Sequence, residues 1–521
     1  MIHMIGLEGE VMSTQRHGLH AAVITLVLAG GAAFGQAQRA PDPAAASPPA
    51  LDGPTVKLEK GKVQGFIADG VAVFRGLPFA APPVGELRWQ APKPALRWPD
   101  VRPANVFSAT CAQAEDCLYL NIYEPADAKK GAKLPVMVWI HGGAFLFGSG
   151  SAYDGSQFAK QGLIVVTVNY RLGRAGWFAH PALTAENPKG LLGNYGLMDQ
   201  IAALEWVKDN IKDFGGDSKN VTVFGESAGA ISINYLMLAP QAKGLFARAL
   251  SESGFGRLGA RPRSQVAEGG TAFADKAGVH GSDAAAAKAL RALSWAELAA
   301  NMPGIGDPNQ ILPMADGKMI TGSAADGFAK GAEARVPYLL GGNSDEASLT
   351  RRGLNAAERL ASIQQNREAF LAAYDPDNTG DADRIVARYI TDTSISEPDR
   401  DLARLHAQHG NATYVYHFSY TPAAQRATMF GLPHGGEIAY VFNKPRATPF
   451  DDEGQAVAAA ANRYWAQFAK TGDPDSAGGA AWPKFDSTDE YVMEFPANGI
   501  PVAAKHFHKT RLDWVEASLA K

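Results

Sequence analysis

The fold that we predict for this chain rests first on FGGDSKNVTVFGESAG, the residues from Phe214 to Gly229. An apolar run ends in Gly225-Glu226-Ser227-Ala228-Gly229, and a helix rich in small residues follows at once. Glycines two positions either side of the serine suit a sharp strand-to-helix turn that leaves no room for side chains. The five-residue motif alone is weak, but the strand before it and the helix after it make it typical of a nucleophile elbow. Ser227 is therefore the candidate nucleophile.

Outward from this motif, strands alternate with helices. Continuous apolar or β-branched runs, which indicate strands covered on both faces, occur at Leu118–Tyr123, Pro135–Ile140, Leu163–Asn169 and Val221–Phe224. Later strands are predicted at Ala247–Glu252, Tyr338–Gly341 and Thr413–Phe418, and an N-terminal antiparallel hairpin around Gly61. Helical patterns cover Asp199–Phe214, Ser227–Leu238, Thr271–Ala300 and residues 355–410. The alternation predicts an α/β fold with a mostly parallel central sheet flanked by helices.

The first residues differ from the rest of the chain and predict an exported protein. Arg16 and His17 precede an apolar run from Ala21 to Ala33, and Ala37 fits a small-residue cleavage site. We predict a signal peptide over residues 1–37, because the apolar run is too short for a transmembrane anchor. Residues 38–54, rich in Ala and Pro, are predicted to be a linker, and residues 55–521 a single domain with helical lid insertions.

Composition excludes several other classes. The chain has 521 residues, 46% of them hydrophobic, and a formal net charge of -4 without a long run of like charge, which argues against nucleic acid as a partner. In an oxidising periplasmic or extracellular compartment, its two cysteines, Cys111 and Cys117, are expected to form a disulfide. Neither cysteine lies beside a histidine or in a CxxC motif, so we expect no metal or catalytic role for them.

A serine nucleophile needs backbone donors for the oxyanion that it creates. The strand Pro135–Ile140 runs into His141-Gly142-Gly143-Ala144-Phe145, a loop that can turn N–H groups inward, and Ala228 supplies another N–H. His141 precedes the nucleophile, whereas this fold places the acid and then the histidine after it. We therefore do not expect His141 to be the base.

The acid and the histidine should follow Ser227 in that order. Asp345 and Glu346 both come after the strand Tyr338–Gly341, and the spacing does not choose between them. His434 lies further on, in a loop between turn residues, and is the candidate base.

With these motifs, the chain resembles the type-B carboxylesterases, the cholinesterase-like branch of the α/β-hydrolases, and looks like a secreted bacterial member. The resemblance runs from about Lys57 to the C-terminus. The motifs that carry it begin at six positions: Phe74-Arg-Gly-Leu-Pro-Phe-Ala, Glu115-Asp-Cys-Leu-Tyr-Leu-Asn, the Phe214–Gly229 block, Asp345-Glu346-Ala, His434-Gly-Gly-Glu and Trp465-Ala-Gln-Phe-Ala-Lys-Thr-Gly. Cys111 lies close to Cys117, unlike the distant partner in animal relatives, so their large disulfide loop and choline site are not expected here.

The resemblance implies roles for particular residues. It makes Glu346 the acid of a Ser227, His434, Glu346 triad, and Gly143, Ala144 and Ala228 the oxyanion donors, with Gly142 shaping the turn. It places Glu226 and Ser253 beside the triad, and it implies a buried ion pair between Arg88 and Glu115.

Together these features predict two-step hydrolysis of a small carboxylic ester through an acyl-enzyme, with no metal or cofactor. Because His434 must be neutral to act as a base, activity is expected to fall as pH drops through roughly 6–7. Arg351 and Arg352 follow the acid and are candidates for docking a carboxylate-bearing ester.

Two other functions are compatible with parts of this sequence. One is a non-catalytic binding or adhesion protein on the same fold, although such proteins lack triad residues. The other is a metallohydrolase using His406 and His409, which share a helical face that we expect to be solvated. The sequence does not predict the ester or the oligomeric state.

Overall fold

The computed structural model describes residues 47–187, 190–307, 309–475 and 479–519. The predicted signal peptide and the first residues of the predicted linker lie outside the described residues. Residues 49–53 are hydrogen-bonded to the domain: Asn105 donates to Pro49 O at 2.6 Å, and Gly53 N donates to Gly65 O at 3.2 Å. These hydrogen bonds lie before residue 55, the predicted start of the domain, and the domain bounds themselves stay a prediction.

One large sheet forms the centre of the molecule, with two small sheets beside it. The strands are β1 Thr55–Lys57, β2 Lys62–Gln64, β3 Phe66–Ala68, β4 Val71–Pro78, β5 Val101–Pro103, β6 Tyr119–Pro125, β7 Leu134–Ile140, β8 Ile164–Val168, β9 Gly216–Glu226, β10 Arg248–Glu252, β11 Arg261–Pro262, β12 Met314–Ala315, β13 Tyr338–Asn343, β14 Thr413–Phe418, β15 Val492–Phe495 and β16 Val502–Ala504. The 11-stranded sheet has the order β16-β15-β14-β13-β10-β9-β7-β8-β6-β4-β3. Its strands from β15 to β8 in that order are parallel, and the strands at both ends are antiparallel.

The helices lie between these strands in the chain. They are α1 Ser156–Ala159, α2 Gly173–Gly176, α3 Pro181–Glu186, α4 Tyr195–Asn210, α5 Ala228–Leu236, α6 Arg263–Lys276, α7 Ala284–Ala292, α8 Trp295–Ala299, α9 Ala324–Ala329, α10 Ala356–Ser362, α11 Arg367–Tyr374, α12 Ala382–Thr391, α13 Glu397–Gln408, α14 Ile438–Val441, α15 Asp452–Thr471 and α16 Lys509–Leu519. The mostly parallel α/β fold and the N-terminal hairpin of β1 with β2 are confirmed. That the helices after β10 and β13 act as a lid stays a prediction.

The central strands are covered on both faces, as continuous apolar runs predict. Along β7, Val136 and Val138 pack into one apolar core, whereas Met137 and Trp139 pack into the other. Successive side chains of a strand point to opposite faces, so the two cores lie on the two sides of the sheet.

Two helical regions differ from their predicted bounds. Helix α4 begins at Tyr195, four residues before the predicted start at Asp199. Asp199 lies inside this helix, where it is fully buried and pairs with Arg171. A pattern of apolar residues does not reveal a buried charged residue, so the predicted helix boundary fell there. The predicted helical region Thr271–Ala300 is three helices, α6 to α8, because turns with left-handed glycines interrupt it after α6.

Cys111 and Cys117 form a disulfide, with their Cα atoms 5.0 Å apart. Between them, Glu115 accepts hydrogen bonds at 2.6 Å from Arg88, as the family resemblance implied. Arg88 also donates to Leu293 O at the end of α7, so this small loop is joined to a helix far along the chain. Among the described residues, no helix has the length and apolar run needed to cross a bilayer.

The buried pair of Arg171 and Asp199 predicts a large stability effect. Asp199→Asn leaves the buried guanidinium without its charge partner, so the free energy of unfolding should fall by about 3 kcal/mol or more. Urea titration followed by tryptophan fluorescence measures this loss. The exposed Lys130 partner of Asp213 provides a control, since Lys130→Ala should change stability by less than about 1 kcal/mol. A loss no larger than that of the control would contradict the prediction.

Candidate active site

Ser227 lies between the end of β9 and the start of α5, at a strained turn. Its backbone has φ 55 and ψ -119, a left-handed conformation that non-glycine residues seldom adopt. A Cβ atom on Gly225 would lie 2.3 Å from Ile140 O, and one on Gly229 would lie 1.9 Å from the same oxygen. Both glycines are therefore needed because the end of β7 presses against the turn. The local geometry is that of the predicted elbow.

The loop after β7 reverses direction in three consecutive left-handed residues. Gly143, Ala144 and Phe145 have φ values of 105, 54 and 61. A Cβ on Gly143 would lie 2.2 Å from Phe147 O, so only glycine fits there. Within the described part of the chain, the N–H groups of Gly143, Ala144 and Ala228 donate to no protein acceptor. They are free to bind an oxyanion.

Gly142 brings this loop against the elbow. A Cβ at Gly142 would lie 3.0 Å from Ser227 Cβ and 2.8 Å from Glu226 O. A side chain at this position would therefore separate the loop from the serine. The close approach puts the three free N–H groups and the serine in one small region.

His141, the histidine nearest the loop, is a structural residue. It is fully buried, its Nδ1 lies 2.7 Å from Gly142 O, and its ring stacks on Tyr170 at 4.4 Å between centroids. Burial lowers the pKa of His141 to about 4, so the ring stays neutral. Its environment supports the expectation that another histidine is the base.

The structure brings Glu346 and His434 together. His434 Nδ1 lies 2.5 Å from Glu346 Oε2. The other carboxylate oxygen, Glu346 Oε1, accepts from Ser253 Oγ at 2.6 Å and from Asn343 N at 2.7 Å. The end of β13 and the loop after β10 therefore fix the carboxylate that contacts the histidine.

Asp345, the other candidate acid, has a different partner. Both of its carboxylate oxygens lie 2.7 Å from Arg351 Nη1. The Arg351 guanidinium also lies over the ring of Phe430, 4.5 Å from its centroid. Burial raises the pKa of Asp345 to about 6 although the Arg351 charge opposes this shift. Arg351 is thus already paired, whereas Arg352 is exposed.

Glu226 contacts the second nitrogen of the histidine. Its Oε1 lies 3.0 Å from His434 Nε2, and its side chain is buried. Among the described residues, no atom makes a hydrogen bond to His434 Nε2, so the contact from Ser227 is not formed in this arrangement. Burial opposes the charge of His434, but the Glu226 and Glu346 carboxylates outweigh it and raise the pKa of His434 to about 10. His434 therefore lies between two carboxylates that favour its charged form.

Two further buried acids lie near His434 and Glu346, and the sequence did not indicate them as site residues. Glu252 Oε1 accepts from Trp465 Nε1 at 2.8 Å, and Glu437 Oε2 accepts from Asn343 Nδ2. Burial raises the pKa of Glu437 to about 8 and that of Glu252 well above its ordinary value. Glu252 ends the strand β10, and Glu437 lies three positions after His434 in the motif His434-Gly-Gly-Glu.

Of three aromatic residues near the site, two lie in the core and one lies beside His434. Phe145 and Trp177 are buried and pack edge to face at 4.7 Å, so they belong to the core. Phe255, which the sequence did not indicate, lies 5.9 Å from the His434 ring and has a left-handed backbone with φ 47. It is half-buried and lies beside His434.

The expectation that His406 and His409 form a solvated face is wrong. His406 is fully buried, with Nε2 2.9 Å from Val336 O, and His409 Nδ1 lies 2.9 Å from Glu333 Oε1. The helical spacing places both rings on one side, but that side packs onto the buried Glu333 carboxylate. No group of three or more His, Cys, Asp or Glu residues in the described ranges is arranged to hold a metal ion.

A mostly parallel sheet carrying a strained strand-to-helix serine turn defines the α/β-hydrolase class. The family model described as "Carboxylesterase family" matches residues 52–513. This chain belongs to the carboxylesterase family and is a carboxylic ester hydrolase.

Individual relatives agree with this assignment. The chain is 36% identical over 470 residues to a fumonisin B1 esterase of Sphingopyxis macrogoltabida, with 84% of this chain and 85% of the relative covered. It is 31% identical to liver carboxylesterase 1F of Rattus norvegicus, with coverage of 84% and 90%.

Solved structures are similar over nearly their whole length. A Geobacillus stearothermophilus carboxylesterase superposes with a TM-score of 0.78 at 33% identity, covering 88% of this chain and 99% of that one. A structure titled PNB esterase gives 0.74 at 31% identity with the same coverage.

The two carboxylates beside His434 predict a pH effect. A protonated His434 cannot accept the serine proton, so the raised pKa moves the rise of kcat/KM to higher pH than the 6–7 expected from the sequence. Glu226→Gln removes one carboxylate, lowers the pKa of His434 and should shift that rise to lower pH by about one unit. A pH profile of kcat/KM measures the shift. Glu59→Gln, at an exposed and remote acid, is the control, and two superimposable profiles would contradict this role for Glu226.

The oxyanion loop gives a second prediction for the site. Gly143→Ala adds a Cβ that clashes with Phe147 O, which displaces the loop N–H groups and should lower kcat by about 100-fold. Steady-state kinetics on an aryl ester measures kcat, and circular dichroism checks the fold. Gly131 has a similar positive φ of 87 but open space around its Cβ, so Gly131→Ala controls for backbone strain alone. A kcat equal to that of the control would count against an oxyanion role.

Proposed function

We propose that this chain is a serine carboxylesterase that uses Ser227, His434 and Glu346 as a catalytic triad. The contact between Glu346 and His434, beside the elbow that carries Ser227, supports this assignment most directly. The relatives' esterase names support the same reaction class.

The proposed reaction has two acyl-transfer steps. Ser227 Oγ attacks the ester carbonyl while His434 Nε2 takes its proton, and the carbonyl oxygen becomes an oxyanion. The N–H groups of Gly143, Ala144 and Ala228 bind that oxyanion, with Gly142 keeping the loop close. His434 then gives the proton to the alcohol as the ester bond breaks, and water repeats the sequence on the acyl-serine.

This mechanism requires His434 Nε2 to contact Ser227 Oγ. In the structure Nε2 lies 3.0 Å from Glu226 Oε1 without a hydrogen bond, and Glu226 precedes the nucleophile in the chain. The proposed step needs the serine and imidazole side chains to turn so that Nε2 contacts Ser227 Oγ while the Glu346 contact is kept. Once the proton has moved, Glu226 and Glu346 both stabilise the imidazolium, and Ser253 keeps Glu346 oriented.

We propose that the substrate is a small ester that carries a carboxylate group. Cationic side chains gather near the histidine loop: the guanidinium groups of Arg351 and Arg384 lie 4.5 and 5.0 Å from the ring centroid of Phe430, four residues before His434. Arg351 is paired with Asp345 and Arg384 with Asp381, so neither of them is a free docking group.

Export is part of the proposal. The disulfide between Cys111 and Cys117 suits an oxidising compartment, and residues 1–37 have the pattern of a cleaved signal peptide. We therefore place the mature chain, a single α/β-hydrolase domain, in the periplasm or outside the cell. The non-catalytic adhesion alternative is disfavoured because all three triad residue types are present.

Loss of the nucleophile tests this function. Ser227→Ala should lower kcat on a neutral aryl ester by about 10⁴-fold or more while leaving KM similar, because the hydroxyl makes and breaks the acyl bond. Ser264→Ala, at an exposed serine, should behave as wild type. A fluorophosphonate probe should label the wild-type protein on the peptide containing Ser227 and should not label Ser227→Ala. Full turnover or labelling of that variant would place the nucleophile elsewhere.

A further inference from the structure

The loop between α14 and α15 carries an exposed arginine beside the catalytic histidine. Arg446 Nη2 donates to Gly435 O at 3.2 Å, and Gly435 directly follows His434 in the chain. A Cβ at Gly435 would lie 3.1 Å from Glu226 Oε1, the atom that faces His434 Nε2. Gly435 thus lies between Arg446 and the side chains of Glu226 and His434.

Arg446 lacks the kind of partner that its neighbours have. Lys444 Nζ, in the same loop, pairs with Asp154 Oδ2 at 3.0 Å, and Arg351 pairs with Asp345. Among the described residues, Arg446 has no carboxylate within ion-pairing distance. A guanidinium has five N–H donors in a planar fork, and one bond to a backbone oxygen leaves most of them unused.

The charges around His434 bear on the function of Arg446. Glu226 and Glu346 are buried beside His434, and their ionised carboxylates repel an anionic ester that approaches them. The positive charge of Arg446 acts on this group, since it lowers the pKa of Glu226 against the larger raising effect of burial. An exposed cation next to the histidine loop can therefore offset the repulsion for a charged substrate.

We propose that Arg446 is the specificity-determining residue that binds the carboxylate of the substrate, with its free N–H fork paired to the two carboxylate oxygens. This inference rests on the proposed function, because it needs the ester carbonyl to lie at Ser227. The carboxylate can belong to the acyl part or to the alcohol part of the ester. The recognition chemistry is the same in both cases.

Matched esters test the proposal. The acyl pair is 4-nitrophenyl hemisuccinate and 4-nitrophenyl butyrate, and the alcohol pair is the acetate esters of 4-hydroxybenzoate and of 4-hydroxybenzamide. Each pair differs in one carboxylate. Wild type, Arg446→Gln and Arg446→Lys are compared with Arg97→Gln, a control at an arginine whose side chain is 71% exposed and which pairs with the remote Glu59.

We expect Arg446→Gln to lower kcat/KM for the anionic member of at least one pair by about 10-fold, mainly through KM. Its kcat/KM for the neutral esters should stay within about 2-fold of wild type. Arg446→Lys should retain part of the selectivity because it keeps the charge without the fork. About 0.5 M NaCl should reduce the wild-type preference toward that of Arg446→Gln.

The pair that shows the selective loss identifies the part of the ester that bears the carboxylate. Equal losses on anionic and neutral esters, or no loss in either pair, would overturn the inference. Failure of the proposed function is separate, since it would appear as retained hydrolysis of the neutral ester by Ser227→Ala.

Discussion

The site depends on one buried contact, between the imidazole of His434 and the carboxylate of Glu346. These residues are 88 positions apart in the chain and stand on different loops at the same edge of the parallel sheet. Ser253 Oγ and Asn343 N hold the other oxygen of the carboxylate, so the contact joins the ends of β10 and β13 to the histidine loop. Without it, neither the tautomer nor the orientation of the imidazole is defined.

Several buried acids surround that contact. Glu226, Glu252 and Glu437 are all buried, and burial raises the pKa of each. The carboxylates of Glu226 and Glu346 favour the charged form of His434 and raise its pKa. The same arrangement stabilises the imidazolium that forms during acyl transfer, so the acids oppose the start of the reaction and support its later stages.

The sequence predicted most of the fold and the central residues of the site for physical reasons. The turn at Ser227 packs against Ile140 O and leaves room only for glycine at the two flanking positions. A requirement for glycine at fixed spacing can be read from the sequence. Spacing alone did not choose between Asp345 and Glu346, because both follow β13 and only the side-chain direction separates them. The resemblance chose Glu346, and the contact with His434 agrees with that choice. Helical spacing put His406 and His409 on one face but could not tell that the face is buried, and Arg446 was missed because it lies in a loop without a motif.

The most direct test is a crystal structure of the purified protein after reaction with a phosphonate ester inhibitor. The mechanism predicts phosphorus bonded to Ser227 Oγ and a phosphoryl oxygen within hydrogen-bonding distance of the N–H groups of Gly143, Ala144 and Ala228. It also predicts that His434 Nε2 has turned from Glu226 toward the ester oxygen, with the Glu346 contact intact. Phosphorus on another residue, or a His434 that still faces Glu226 in the adduct, would contradict it.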